Sequence, residues 1–400
     1  MSVHHTPFHI VAKPIGALCN MNCSYCFYAE KKSFYPAITP MTDKVLEHFI
    51  RSYLSAHPGP EVNFLWQGGE PLLLGISFYQ KALLFQQRFS GRKRITNAIQ
   101  TNGTLLTEAW CQFLKRNHFL VGISLDGPAD IHNAYRCMRS GKPSHQAVLN
   151  GLQLLQKYQV DYNVTCCVSD VSTRDPKKIY HYLKSLGVAY LQFAPLVERE
   201  PDIAEQEEGL LHACPDNRAG HLNLMPGTVD SLAYGQFLSA VFDEWIRQDI
   251  GRIYIMNFEW ALSAWLGLPA TYCIFAPTCG NALAVEHNGD LYSCDHYVYA
   301  AYKIGNLMHD DLNHLLDSPI QQKFQQKKST LPDTCVSCTY CFACHGECPK
   351  NRFMPGDRNY LCQGYFYYFS HIRPYMERMA DLIRKGKAPW LIRNEFPDLM

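Results

Sequence analysis

Cys19, Cys23 and Cys26 stand in a Cys-x3-Cys-x2-Cys pattern, with Tyr25 before the last cysteine and Phe27 after it. Three thiolates in an eight-residue loop can hold three irons of a [4Fe–4S] cube and leave the fourth iron without a protein ligand nearby. Such an open position can bind a substrate or cofactor, as the open position of a catalytic zinc does. A structural zinc is the alternative. It takes four ligands, and the fourth would have to come from His4, His5 or His9.

Nine further cysteines fall between Cys273 and Cys362. They read Cys273-x5-Cys279, then Cys294 after Gly289, then Cys335-x2-Cys338-x5-Cys344-x3-Cys348, then Cys362. Those eight fit two fully ligated [4Fe–4S] clusters, or two zinc knots of four cysteines each. Cys341 is the ninth. With it, Cys338-x2-Cys341-x2-Cys344-x3-Cys348-Pro349 also matches a bacterial ferredoxin run, so spacing leaves a choice between Cys341 and Cys344. Cys111, Cys137, Cys166, Cys167 and Cys214 have no metal-like spacing and read as packing residues.

The compartment decides what 17 cysteines in 400 residues mean. The N-terminal stretch has no basic leader region, and Lys13 interrupts its apolar run, so no secretory signal is expected. No run approaches the length of a membrane span. The expected location is the cytoplasm, where thiols stay reduced and regular spacing points to metal ligation. Lys and Arg total 37 against 36 for Asp and Glu, a formal charge of +1. That balance excludes a nucleic-acid coat and a polybasic membrane binder. An apolar content of 47% excludes intrinsic disorder, and the length suggests two domains.

The elements that must position these residues alternate. Residues 8–14, 62–66, 95–101, 119–127, 162–168 and 189–196 read as strands, most ending in turn chemistry such as Gly68-Gly69 or Asn102-Gly103. Between them Thr42–Leu54, Phe78–Phe89, Thr107–Asn117, Ser144–Tyr158 and Asp175–Leu186 read as helices. Alternation of this kind predicts an α/β fold with a parallel sheet, a barrel or partial barrel, and the site at the strands' C-terminal ends. The acidic stretch from Glu198 to Glu208 reads as a solvated loop. Helices follow at about 229–247 and 258–266, and the main boundary is expected between about 235 and 265. Asn288-Gly289 predicts a hairpin that folds Cys279 back towards Cys294. The closing stretch 389–400 is either a docking tail or part of the fold.

The cysteine loop after a first strand closely resembles the radical S-adenosylmethionine (SAM) superfamily. The resemblance implies a partial (β/α)6 TIM-like barrel and SAM chelated to the open iron. Its reductive cleavage would give a 5′-deoxyadenosyl radical that abstracts a hydrogen atom. Gln67-Gly68-Gly69-Glu70-Pro71 follows the second strand, as the family's SAM-binding segment does. Gly68 and Gly69 would let backbone approach the ligand, and Glu70 would accept a hydrogen bond from the methionine ammonium. Tyr25 would pack near the adenine and Ser124 would bond the ribose or carboxylate. Arg136 would pair with the SAM carboxylate, and Val197 would offer a backbone contact. Asn102 reads as turn chemistry.

The C-terminal cysteines resemble the SPASM domain, the two-cluster extension of radical SAM enzymes that modify peptides. The resemblance implies one auxiliary cluster on Cys273, Cys279, Cys294 and Cys348, and another on Cys335, Cys338, Cys344 and Cys362, with Cys341 left over near the second. The whole would hold three [4Fe–4S] clusters, with a barrel at 1–235, a helical connection at 236–265 and the auxiliary domain, ending in a helix, at 266–400.

Tyr292-Ser293-Cys294-Asp295-His296-Tyr297-Val298 is similar to the anaerobic sulfatase-maturating enzymes. That family oxidises a Cys or Ser of an unfolded sulfatase polypeptide to Cα-formylglycine, with a flavodoxin- or ferredoxin-type protein as electron donor. Asp295 holds the position of its general base, with His296 a weaker candidate. Like charge from the adjacent cluster is expected to raise the Asp295 pKa. The competing expectations are another SPASM peptide maturase, forming thioethers or crosslinks, and, from a different class, a ferredoxin-like carrier or a zinc-stabilised interaction protein. A leader-dependent maturase is disfavoured because no recognition domain precedes Phe8. Bound clusters would add about −5, taking the charge to roughly −4, which suits an Arg-bearing peptide.

Overall fold

The computed structural model describes residues 7–35, 39–217 and 223–394. His4, His5 and residues 395–400 of the closing stretch lie outside the described residues. Strands β1 (His9–Lys13), β2 (Glu61–Trp66), β3 (Arg94–Thr101), β4 (Phe119–Ser124), β5 (Tyr162–Val168) and β6 (Tyr190–Pro195) form where sequence alternation predicts them. Each lies parallel to the next in chain order. β1 is buried along nearly its whole length, as a parallel strand covered on both faces must be.

Helices α1 (Asp43–Ala56), α2 (Ile76–Phe89), α3 (Glu108–Arg116), α4 (Ala129–Tyr135), α5 (His145–Lys157) and α6 (Pro176–Ser185) make the crossovers. Thr42, Thr107 and Asp175 cap three of them, each side chain accepting from an amide in the first turn. The core between sheet and helices is aromatic, with Phe49, Tyr53, Phe64, Trp66 and Tyr79 fully buried. Because β1 to β4 are parallel, the cysteine loop, the Gly68-Gly69 turn, Asn102 and Asp126 all emerge at one edge of the sheet.

The sheet is open and ten-stranded, in the order β10-β9-β8-β1-β2-β3-β4-β5-β6-β7. β7 (Tyr254–Ile255) extends β6. On the other side β8 (Ala282–Glu286) lies parallel to β1, with Lys13 and Glu286 as register partners. β9 (Asp290–Tyr292) returns antiparallel through the Asn288-Gly289 hairpin, and β10 (Lys303–Asn306) follows it. The division expected at residues 235–265 therefore carries no break in the sheet, since β7, within that span, extends one side and the cysteine-rich half adds β8, β9 and β10 on the other. Helices α7 (Ile203–Glu207), α8 (Ser231–Gln248) and α9 (Met256–Trp265) lead into that half. A long helix, Cys362–Arg384, packs on α8 so closely that a Cβ on Gly235 would stand 2.2 Å from the Gly364 carbonyl oxygen.

One expectation changes and one open choice narrows. The acidic stretch is not wholly solvated: Glu198 is buried against Lys350, and Glu205 is buried, closing a capping box with Asp202 on α7. The closing stretch is part of the fold as far as Asn394, where Ile392 is buried and Arg393 bonds the carbonyls of Ile246 and Ile250. Among the described residues no helix is long and apolar enough to cross a membrane.

Candidate functional site

The cysteine loop leaves β1 at Lys13 and is pinned from two sides. Asn22 and Ser24 donate their amides to the carbonyls of Cys137 and Tyr135, at 2.8 and 3.0 Å. Gly69 and Glu70 donate to those of Gly16 and Leu18, at 2.7 and 2.8 Å. This second contact explains the glycine pair. A Cβ on Gly69 would lie 1.9 Å from the Leu18 carbonyl oxygen, and Gly68 has φ +131°. Beyond any approach to a ligand, the glycines seat the cysteine loop, and Gly69 also faces the space beside it.

That space is a cleft open to solvent and lined by Cys19, Cys23, Cys26, Gly69, Lys32 and Arg139 among others. Three thiols, two cations and bare backbone on one cavity fit a three-thiolate iron–sulfur cube carrying an anionic amino-acid ligand. Burial pushes all three thiols up, Cys23 to about 12, and nearby thiols add to the shift of Cys19 and Cys23. Ligation must therefore expel protons, which makes cluster uptake pH-dependent.

The other expected SAM contacts are already engaged within the protein. Glu70 is fully buried and accepts from the Leu72 amide, the Thr101 hydroxyl and the Asn102 amide, at 3.0, 2.7 and 2.8 Å. These use three of its roughly four lone-pair sites, so it clamps the tips of β2 and β3 and keeps one site for a further donor. Burial raises its pKa to about 7. The Arg136 guanidinium is buried on Asp126 at 2.7 Å, and the Tyr25 hydroxyl donates to the same oxygen at 2.6 Å. Ser124 accepts from Gln100 at 3.1 Å. The Val197 carbonyl accepts from Lys350 at 3.0 Å. Asn102 does make an Asx turn to the Thr104 amide, and its Nδ2 reaches Asn20 and the Cys19 sulfur.

Asp295 stands where the two halves meet. It follows Cys294, whose Sγ lies 3.6 Å from Asp295 Oδ1. Its other oxygen is 3.7 Å from Lys13 Nζ, and Lys13 is only 1% exposed. The same ammonium lies 4.4 Å above the Tyr28 ring, and the Tyr28 hydroxyl donates to Glu286. Phe27 packs on the His296 ring at 4.6 Å, and buried His296 Nδ1 has no hydrogen-bond partner among the described residues. Burial alone would push the Asp295 pKa up; His296 and Lys13 outweigh it and hold the carboxyl below its ordinary value. The expected rise thus meets an opposing cation that no motif marked. A lysine as the last residue of an otherwise apolar buried strand was its only local signal.

The remaining site thiols form two groups. Cys279, Cys294 and Cys348 are each raised chiefly by burial, and Cys273, the exposed member, shifts in the same direction. Cys273 also feels Cys279, Cys294 feels Cys273 and Cys348, and Cys348 feels Cys279 and Cys273. Separately, Cys344 is raised by burial, then by Glu347, Cys362 and Cys335, and Cys362 by burial and then by Cys335 and Cys338. Cys341 lies with this second group, near Cys335 and Cys338. All 17 cysteines are free thiols. Cys111 and Cys166 are fully buried packing residues, as expected.

Comparison with known proteins agrees with this arrangement. Residues 14–183 match the radical SAM superfamily, and residues 273–339 match SPASM, the iron–sulfur cluster-binding domain. The chain is 40% identical to a serine-type anaerobic sulfatase-maturating enzyme of Bacteroides thetaiotaomicron, over 98% of this chain and 96% of that one. It is 36% identical to a serine-type enzyme of Klebsiella aerogenes, over 94% and 89%. A cysteine-type enzyme of Clostridium perfringens is 30% identical, over 94% of this chain and 100% of its own. The solved structure of native anSMEcpe with bound AdoMet and Cp18Cys peptide superposes with a TM-score of 0.83 at 29% identity, covering 94% of this chain and 100% of that one.

Proposed function

This chain belongs to the anaerobic sulfatase-maturating enzymes, and from that membership we propose that it oxidises a serine in an unfolded sulfatase peptide to Cα-formylglycine. Family membership makes it a radical SAM oxidoreductase with iron–sulfur and SAM cofactors. The serine target is our reading, supported by the greater identity to the serine-type relatives.

Turning –CH2OH into –CHO removes a hydrogen atom from Cβ, the hydroxyl proton and one electron. When bound, SAM and three [4Fe–4S] clusters would supply the hydrogen abstraction and accept the electron. Cys19, Cys23 and Cys26 would hold the SAM-binding cluster. The Cys273 and Cys335 groups, taken as four cysteines each, would hold the auxiliary ones. Arg139 and Lys32 would meet the SAM carboxylate in place of Arg136, which Asp126 already neutralises. Asp295 would take the proton. Lys13 keeps that carboxylate ionised and aims it. The observation that carries the proposal is this position of Asp295, beside Cys294 and tied through Lys13 to the strand that delivers the SAM-site loop. A flavodoxin- or ferredoxin-type protein would supply electrons.

The test is anaerobic incubation of the reconstituted enzyme with SAM, a reductant and two competing peptides, Ser-x-Ala-x-Arg and Cys-x-Pro-x-Arg. The Ser peptide is expected to gain an aldehyde with the higher kcat/KM. SAM cleavage with peptide crosslinking, or conversion of the Cys peptide alone, would overturn the assignment.

A further inference from the structure

Lys328 and Arg352 are buried cations that sit beside the C-terminal cysteines. Lys328 is 0% exposed and Arg352 4%, and among the described residues neither makes a salt bridge. All their hydrogen bonds go to backbone carbonyls. Lys328 Nζ donates to Cys273 and Ile274, both at 2.6 Å. Arg352 donates to Gly346 and His345 at 2.9 Å, to Lys328 at 3.0 Å and to Thr330 at 3.2 Å. A buried charge is costly unless an opposite charge stands near it. The nearby carboxylate Glu347 favours the charged form of Lys328, and its Oε2 accepts from Asn351 and Asn359.

The carbonyls they bind identify the missing anion. Cys273 belongs to one cysteine group. His345 and Gly346 form the turn between Cys344 of the second group and Cys348 of the first. Arg352 thus lies at the seam between the groups, and its charge favours the thiolates of both Cys279 and Cys335. Lys328 favours those of Cys273 and Cys279.

We propose that Lys328 and Arg352 are the built-in counter-charges of the two auxiliary clusters, with Lys328 serving the Cys273 group and Arg352 shared by both. A nearby cation stabilises the more negative, reduced form of a cluster, so each raises the reduction potential of the group it faces. Sharing Arg352 also couples the groups: a negative charge gained by one weakens the pull that the other feels. The inference rests on the reading that both groups bind clusters, and iron analysis of the unsubstituted enzyme tests that reading separately.

The experiment is a spectroscopic redox titration of the anaerobically purified holoenzyme and four variants. Lys328→Gln and Arg352→Gln retain donors for the carbonyls and remove the charge. Lys328→Arg and Arg352→Lys retain the charge. Lys328→Gln should lower the midpoint of one auxiliary cluster and Arg352→Gln the midpoints of both, while the charge-keeping variants stay near the parent. Unchanged midpoints in fully loaded Gln variants would overturn the proposal. Should the Gln variants lose iron, retention by Arg352→Lys and Lys328→Arg supports the counter-charge role, and equal loss in all four assigns the pair to backbone support alone and overturns it.

Discussion

Asp295→Asn is expected to lower aldehyde formation by about 10²- to 10⁴-fold, the usual worth of a general base, while 5′-deoxyadenosine still forms. Asparagine matches aspartate in shape, so Cys294 and the turn after it keep their geometry. It cannot accept a proton, and it leaves Lys13, almost fully buried, facing a neutral amide. The loss should therefore fall on the step after hydrogen abstraction, because Asp295 does not line the cavity beside Cys19, Cys23 and Cys26. The check is to quantify 5′-deoxyadenosine and peptide aldehyde in the same reaction. A variant that keeps the parent ratio of the two would remove Asp295 as the base.

Gly69→Ala should fail earlier. The new methyl would stand 1.9 Å from the Leu18 carbonyl oxygen, far inside any tolerated contact, and both neighbours are backbone. The chain must give way at Ala17–Leu18, one residue before Cys19. Overpacking of this kind costs about 1–3 kcal/mol, which a protein of this size survives. The cysteine loop is not free to survive it, since the same glycine turn supplies two of its anchoring amides. The expected variant is folded, holds about four irons fewer than the parent and cleaves no SAM. Full iron content with normal SAM cleavage would show that the turn does not seat the loop. The two variants divide the machinery: one keeps SAM cleavage without product, the other loses both.

Features set by neighbours along the chain were legible in the sequence. The six barrel strands, the Thr42, Thr107 and Asp175 caps and the Asn288-Gly289 hairpin all depend on local periodicity or turn chemistry. The cysteines stood out because their spacing is itself the signal. What escaped was set by pairs distant in sequence. Lys13 finds Asp295 only because β8 docks on β1, which joins what looked like a separate domain to the barrel sheet. Arg136 seemed available to a carboxylate until β4 delivered Asp126 to it. Glu198 looked solvated because it stands in an acidic stretch, while Lys350 reaches it from the cysteine-rich half. Each is a charge whose partner determines its role, and no local pattern names that partner.

The central claim is hydrogen abstraction from the serine Cβ followed by loss of the hydroxyl proton to Asp295. A sulfatase peptide dideuterated at the serine Cβ tests it directly, with mass spectrometry of both products. One deuterium should appear in each 5′-deoxyadenosine formed, and the aldehyde should retain the other, in equal amounts. Unlabelled 5′-deoxyadenosine, or label transfer without aldehyde, would contradict the account.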